Sequence, residues 1–156
     1  MVNEFSDINT TVNLAGIQID NPVIPASGTF GYGYEFAQLY DINCLGTFSF
    51  KGTTREARFG NPTPRIAECT DGMINAVGLQ NPGIDALKAQ DLPFMRQFDT
   101  RVIVNTAGHS VEEYCRVSEA LQDAEGVDLV ELNISCPNIA RGGALVGGTP
   151  ESASEV

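Results

Sequence analysis

Short strand-like runs alternate with stretches of helical spacing along this chain, and each run stops at a polar or glycine-bearing group. Residues 23–26 end in Ser27-Gly28, and residues 34–40 follow with helical spacing. Residues 44–50 end at Lys51, residues 101–105 run into Asn105-Thr106-Ala107-Gly108, and residues 128–132 close the series. Between the last two, residues 111–124 place Val111, Tyr114, Val117 and Leu121 on one face of an amphipathic helix. This order predicts a parallel sheet with right-handed crossovers. Residues 11–14 and 17–20, divided by Ala15-Gly16, predict a small hairpin plugging one end. Residues 52–82 are rich in Gly, Pro and Asn with weak strand signals only at 66–69. A loop of that length in a compact domain is uncommon unless functional.

The last strand-like run carries the sharpest chemical signal. Residues 127–132 read as a buried parallel strand, and Asn133-Ile134-Ser135-Cys136-Pro137-Asn138 follows at its C-terminal mouth. Pro137 cannot donate to a ladder, so the strand stops there and two asparagines flank a presented thiol. A lone cysteine is more often a small buried hydrophobe. Here, however, four strand ends bring hydrogen-bonding groups to one face, the active face of a (β/α)8 barrel.

Asparagines suit a ligand with alternating N–H and C=O edges. Lys51 offers a positive charge to a carboxylate or an electron-rich ring, although a strand-terminal lysine is usually solvated. A thiol with a free pKa of about 8.5 can serve as a base near neutrality once polar groups orient it. The sole histidine, His109, could pair with Cys136 only if two strand-end loops meet. Otherwise it faces solvent beside Ser110, the better helix cap. Gly28, Gly31 and Gly33 lack the G-x-G-x-x-G spacing, and Lys51 stands where a dinucleotide-binding fold needs an acid. Gly142-Gly143 and Gly147-Gly148 precede a helix start and suit either a lid or a plain surface loop.

Composition sets limits on partners. The 156 residues carry a net charge of −11, with acids spread and no basic stripe, which argues against nucleic-acid binding. Cys44, Cys69, Cys115 and Cys136 form no C-x-x-C pair, so a reducing cytoplasm is expected and structural zinc is not. No apolar run approaches membrane-spanning length, and the polar first nine residues read as neither signal peptide nor anchor. Neither a repeat nor a linker divides residues 1–156, which are expected to form part of one domain. Thr149, Pro150 and Glu151 open a helix that residue 156 cuts short, and the chain therefore reads as an N-terminal portion of something longer.

NPVIPASGTFGYG, KGTT with RFGNPTPRIAE, NAVGLQNPG, VNTAG and LNISCPN with a trailing GG resemble, in order, the motifs of dihydroorotate dehydrogenases. The resemblance spans nearly the whole chain. It implies an FMN-binding TIM barrel, of which residues 1–156 are the first half, that oxidises dihydroorotate to orotate in pyrimidine biosynthesis. Cys136 in the base position is similar to the class 1 enzymes, and GLQNPG with the following GG to class 1B. In class 1B a second subunit carrying FAD and a 2Fe-2S cluster passes electrons to NAD; a homodimer of the flavin subunit is also expected. By resemblance, Cys136 removes the C5 proton while hydride leaves C6 for flavin N5. Lys51 lies between flavin and substrate, and Asn75, Asn133 and Asn138 bind the pyrimidine with backbone groups of Val77, Gly78 and Leu79. Ala26, Ser27, Lys51, Thr53, Asn105 and Asn133 contact FMN. The family's further substrate residues and its phosphate site fall beyond Val156, so the isolated segment is expected to be inactive. Two rivals remain: a dihydropyrimidine dehydrogenase-like flavoenzyme, which usually has His where Asn138 stands, and a non-catalytic half-barrel scaffold.

Overall fold

The computed structural model of the protein describes residues 8–134 and 147–156. Strands β1 (Val12–Leu14) and β2 (Ile17–Ile19) form the expected antiparallel hairpin. Its tight corner is made by Ala15 and Gly16, both at positive φ. A single helical turn, α1 (Ser27–Phe30), follows. Strand β3 (Thr47–Ser49) then pairs in parallel with β6 (Arg101–Thr106), which pairs in parallel with β7 (Leu129–Leu132). Between β3 and β6 lie the hairpin β4 (Ile66–Cys69) and β5 (Gly72–Asn75), then a continuous helical segment. That segment runs through α2 (Ile84–Ala86), a π-helical turn (Leu87–Asp91) and α3 (Leu92–Met95). Helix α4 (Val111–Leu121) joins β6 to β7, and α5 (Pro150–Glu155) closes the chain.

The parallel sheet has two chemically distinct faces, as strand alternation requires. Phe48, Phe50, Val102 and Val104 enter one core with Leu87, Leu92 and Met95 of the helical segment and Val117 and Leu121 of α4. The opposite face carries Thr47, Ser49, Ile103, Asn105 and Glu131, and the Ser49 hydroxyl reaches across to Glu131 Oε2 at 2.5 Å. A helix-covered apolar face backed by a polar, hydrogen-bonding one is the wall of a (β/α)8 barrel.

Several sequence expectations change. Residues 23–26 are not a strand: Pro22 and Pro25 interrupt the run and have no N–H, and the chain makes a ladder-like contact only from Gly46 N to the Val23 carbonyl, 3.2 Å. The two backbones are so close there that a Cβ on Gly46 would lie 1.8 Å from the Asn21 carbonyl oxygen. Residues 34–40 hold only a 3-10 turn, Phe36–Gln38, and Cys44 belongs to another, Ile42–Cys44, rather than to β3. The long loop contains the full β4–β5 hairpin, with both strands exposed. Residues 83–100, to which the sequence reading assigns no element, hold this helical segment although Pro93 lies inside it. The π turn just before Pro93 accommodates the ring inside a continuous helix. Val130 and Leu132 are 43 % and 42 % exposed, and they lie on the helix side of the sheet with Val104.

Candidate active site

The site begins with a one-residue slip. Ser49 pairs with Ile103, yet the next bridge joins Thr53 to Thr106, so one extra residue is accommodated between Phe50 and Thr53. Phe50 N donates to the Ile103 carbonyl at 2.9 Å and Thr53 N to the Asn105 carbonyl at 2.8 Å, with Lys51 and Gly52 between them. Such a bulge re-aims side chains at the mouth of a sheet. Lys51 N leaves the ladder for the Gly31 carbonyl at 3.0 Å, tying the β3 end to the loop after α1. The lysine side chain reaches toward α1, so a Cβ on Gly28 would lie 3.9 Å from Lys51 Nζ.

Gly52 is where the candidate residues converge. A Cβ there would lie 2.8 Å from Asn105 Oδ1, 3.0 Å from Leu79 Cδ1 and 3.3 Å from Asn133 Nδ2. Glycine is therefore required by close approach. Asn105 is 3 % exposed, and its Oδ1 is buried without a hydrogen-bond partner among the described residues. A buried acceptor without a donor is costly unless a ligand N–H completes it. Thr53 is fully buried, its hydroxyl donating to the Lys51 carbonyl at 3.0 Å. The Asn133 carbonyl accepts from the Tyr114 hydroxyl of α4 at 2.5 Å, which anchors the end of β7.

The second wall is the turn from Val77 to Gly83. Gly78 and Leu79 both have positive φ, +77° and +55°, which for leucine is a strained conformation held by its surroundings. Arg65 braces the outer loop by donating to the Phe59 carbonyl at 2.7 Å and to Gln80 Oε1 at 2.5 Å. Lys51 and Val77 line a cleft of about 610 Å³ that extends past Arg58 and Asn81 to Tyr32 and Asp91.

At the far end of that cleft, the Tyr34 hydroxyl donates to Asp91 Oδ1 at 2.9 Å. Burial raises the Asp91 carboxyl above its ordinary range, opposed by the hydrogen bond from Tyr34. Burial likewise pushes Tyr34 up to about 12, with its bond to Asp91 and the charge of Asp91 adding to the shift. Tyr32 is raised as well, mainly by burial, opposed by the neighbouring Thr53 hydroxyl. Because folded Asp91 holds its proton to higher pH than the unfolded chain does, its contribution to stability is full below about 3.9 and is lost as pH rises through the folded value. Asp91→Asn keeps an acceptor for Tyr34 and removes a buried charge. The Asn variant should melt above the parent at pH 7, with the gap closing as the pH is lowered toward about 4. A melting difference independent of pH in scanning calorimetry would contradict this account.

The structure thus brings Lys51, Thr53, Val77, Gly78, Leu79, Asn105 and Asn133 to one mouth. Ser27 adjoins it through Gly28, whereas Ala26 is exposed at the start of α1, and Asn75 is exposed at the end of β5 opposite Ile66. Cys136 and Asn138 lie outside the described residues. His109 is exposed, but its Nε2 contacts the Arg58 guanidinium rather than simply facing solvent, while Ser110 caps α4. Sequence reasoning missed Gly52, Asn81, Tyr32 and Asp91. Gly52 and Asn81 sit inside motifs that had been singled out, KGTT and GLQNPG, and their buried positions could have been sought there. Asp91 carried no signal. Among the described residues no cluster of His, Cys, Asp or Glu could hold a metal ion, and no helix is long and apolar enough to cross a membrane.

A family model described as dihydroorotate dehydrogenase matches residues 9–156. The chain is 52 % identical over 145 residues to the catalytic subunit of dihydroorotate dehydrogenase B (NAD(+)) from Geobacillus kaustophilus (strain HTA426), covering 93 % of this chain and 46 % of that protein. It is 53 % identical over 148 residues to the protein of the same name from Alkaliphilus oremlandii (strain OhILAs), covering 95 % and 49 %. The chain spans about half the length of the curated relatives it matches. Its fold is similar to that of DHODH from Eimeria tenella in complex with ferulenol, with TM-score 0.66, 21 % identity, and coverage of 87 % of this chain and 39 % of that one.

Proposed function

Because the chain belongs to the dihydroorotate dehydrogenase family, we propose that it forms the N-terminal part of a single FMN-binding barrel domain that oxidises dihydroorotate to orotate. The observation that carries this reading is the buried, unpartnered Asn105 Oδ1 beside Gly52. An acceptor in that position suits the N–H edge of a planar heterocycle. The bare Gly52 backbone lets the carboxamides of Asn105 and Asn133 and the Leu79 side chain close in together, and Lys51 supplies a positive charge at the same mouth. These features fit FMN.

Bound there, FMN would supply the two-electron acceptor for the reaction. The chain's own residues have separate tasks. Ala26, Ser27, Lys51, Thr53, Asn105 and Asn133 hold the flavin, and Lys51 also faces the substrate. Asn75, Asn133 and Asn138, with the backbone of Val77, Gly78 and Leu79, orient the pyrimidine. Cys136 as thiolate takes the proton from substrate C5, and its thiol then holds that proton. The names of the similar proteins support an NAD-linked class 1B catalytic subunit, and the reading pairs it with a separate electron-transfer subunit that would carry FAD and a 2Fe-2S cluster. A homodimer of the flavin subunit, working in the cytoplasm, completes the reading.

The test uses the longest polypeptide that contains this sequence, purified with its flavin. Anaerobic dihydroorotate should bleach the visible flavin absorbance and yield orotate, while dihydrouracil should leave the spectrum unchanged. Bleaching by dihydrouracil alone would transfer the chain to the other pyrimidine-reducing chemistry.

A further inference from the structure

Asn81 is 5 % exposed, and every hydrogen-bonding position of its carboxamide is used. Its Oδ1 accepts from Thr54 N at 3.1 Å and from Gly83 N at 3.0 Å. Its Nδ2 donates to the Leu79 carbonyl at 2.9 Å and to Thr54 Oγ1 at 3.0 Å. The Thr54 hydroxyl has one proton and gives it to the Glu56 carbonyl at 2.6 Å, so it must accept from Asn81. The two amide donors fix which end of the carboxamide is oxygen. No other side chain of this size offers two donors and two acceptors. The backbone of Asn81 is pinned too, exchanging bonds with Arg58 at 2.9 and 3.0 Å.

These bonds join three segments with different duties: the end of β3 beyond Lys51, the left-handed Gly78–Leu79 corner, and the glycine that starts α2. The bond to the Leu79 carbonyl acts directly on the residue whose side chain packs beside Gly52 and Asn105. The geometry points to Asn81 as a positioning residue for substrate affinity, a lock that holds the backbone of residues 77–79 at the height of the flavin-side residues. This inference rests on the reading of residues 77–79 as a substrate-binding segment.

The discriminating variant is Asn81→Asp, tested in the flavin-bearing polypeptide used above. Asp keeps both acceptor bonds, loses both donors, and sets an anionic oxygen against the Leu79 carbonyl. KM for dihydroorotate should rise about 10- to 100-fold. Meanwhile kcat should stay within about threefold and flavin stoichiometry should not change, the split expected when binding rather than chemistry is lost. An unchanged KM, or a parallel fall in kcat, flavin content and melting temperature, would overturn the positioning role. Failure of the parent to react with dihydroorotate would instead sink the functional reading. In that event hydrogen exchange still decides on Asn81: amides of residues 77–80 should exchange at least about tenfold faster in the variant while β6 is unaffected, and equal rates would overturn the lock.

Discussion

Cys136→Ala should slow flavin reduction by dihydroorotate about 10²- to 10⁴-fold near neutral pH, the contribution of a positioned general base. Flavin should remain bound, because all the residues assigned to hold it except Asn133 lie on other strand ends. Cys136→Ser should retain part of the rate and move its pH dependence upward, since a hydroxyl is a far weaker acid than a thiol. Rapid-mixing spectroscopy of the flavin band under anaerobic conditions gives both results. A wild-type rate in the alanine variant would remove Cys136 from the chemistry and return it to the role of a small packing residue.

Residues 1–156 expressed by themselves should self-associate and retain little FMN. Strand β7 leaves one edge of the parallel sheet without a neighbour among the described residues, and Val130 and Leu132 lie open on the face that helices cover elsewhere. On the opposite edge, beside β3, the Pro-interrupted residues 23–26 offer little pairing. Exposed edges and an uncovered apolar face favour contact between chains. Light scattering with a flavin assay is sufficient to decide: a monomer with stoichiometric FMN would show that the half-barrel wall is self-sufficient.

The parts of the fold legible in the sequence were those with strong periodicity. Helix α4 and strands β6 and β7 follow patterns that tertiary context had no reason to override, and Ser110 announced its own cap. Illegible parts involve proline used against its usual meaning. Pro93 lies within a continuous helix because a π turn precedes it, and Pro25 ends a run that apolar content alone made strand-like. At the candidate site, Lys51 and Asn105 could be found because each closes a run. Asn81 could not, because its importance comes from four bonds to residues up to 27 positions away. Gly52 escaped notice for another reason: period-two counting assumes an unbroken ladder, and the ladder slips at that point.

The slip also fixes the number of residues between two strand ends for anyone changing the length of this chain. Removing one residue between Phe50 and Thr53 would restore a regular ladder with Thr53 still opposite Thr106, yet one residue would then stand where Lys51 and Gly52 now do, so that either the cation or the bare backbone beside Asn105 would be lost. Adding one residue would either double the offset or separate Thr53 from its partner Thr106. Length here is thus as tightly specified as residue type.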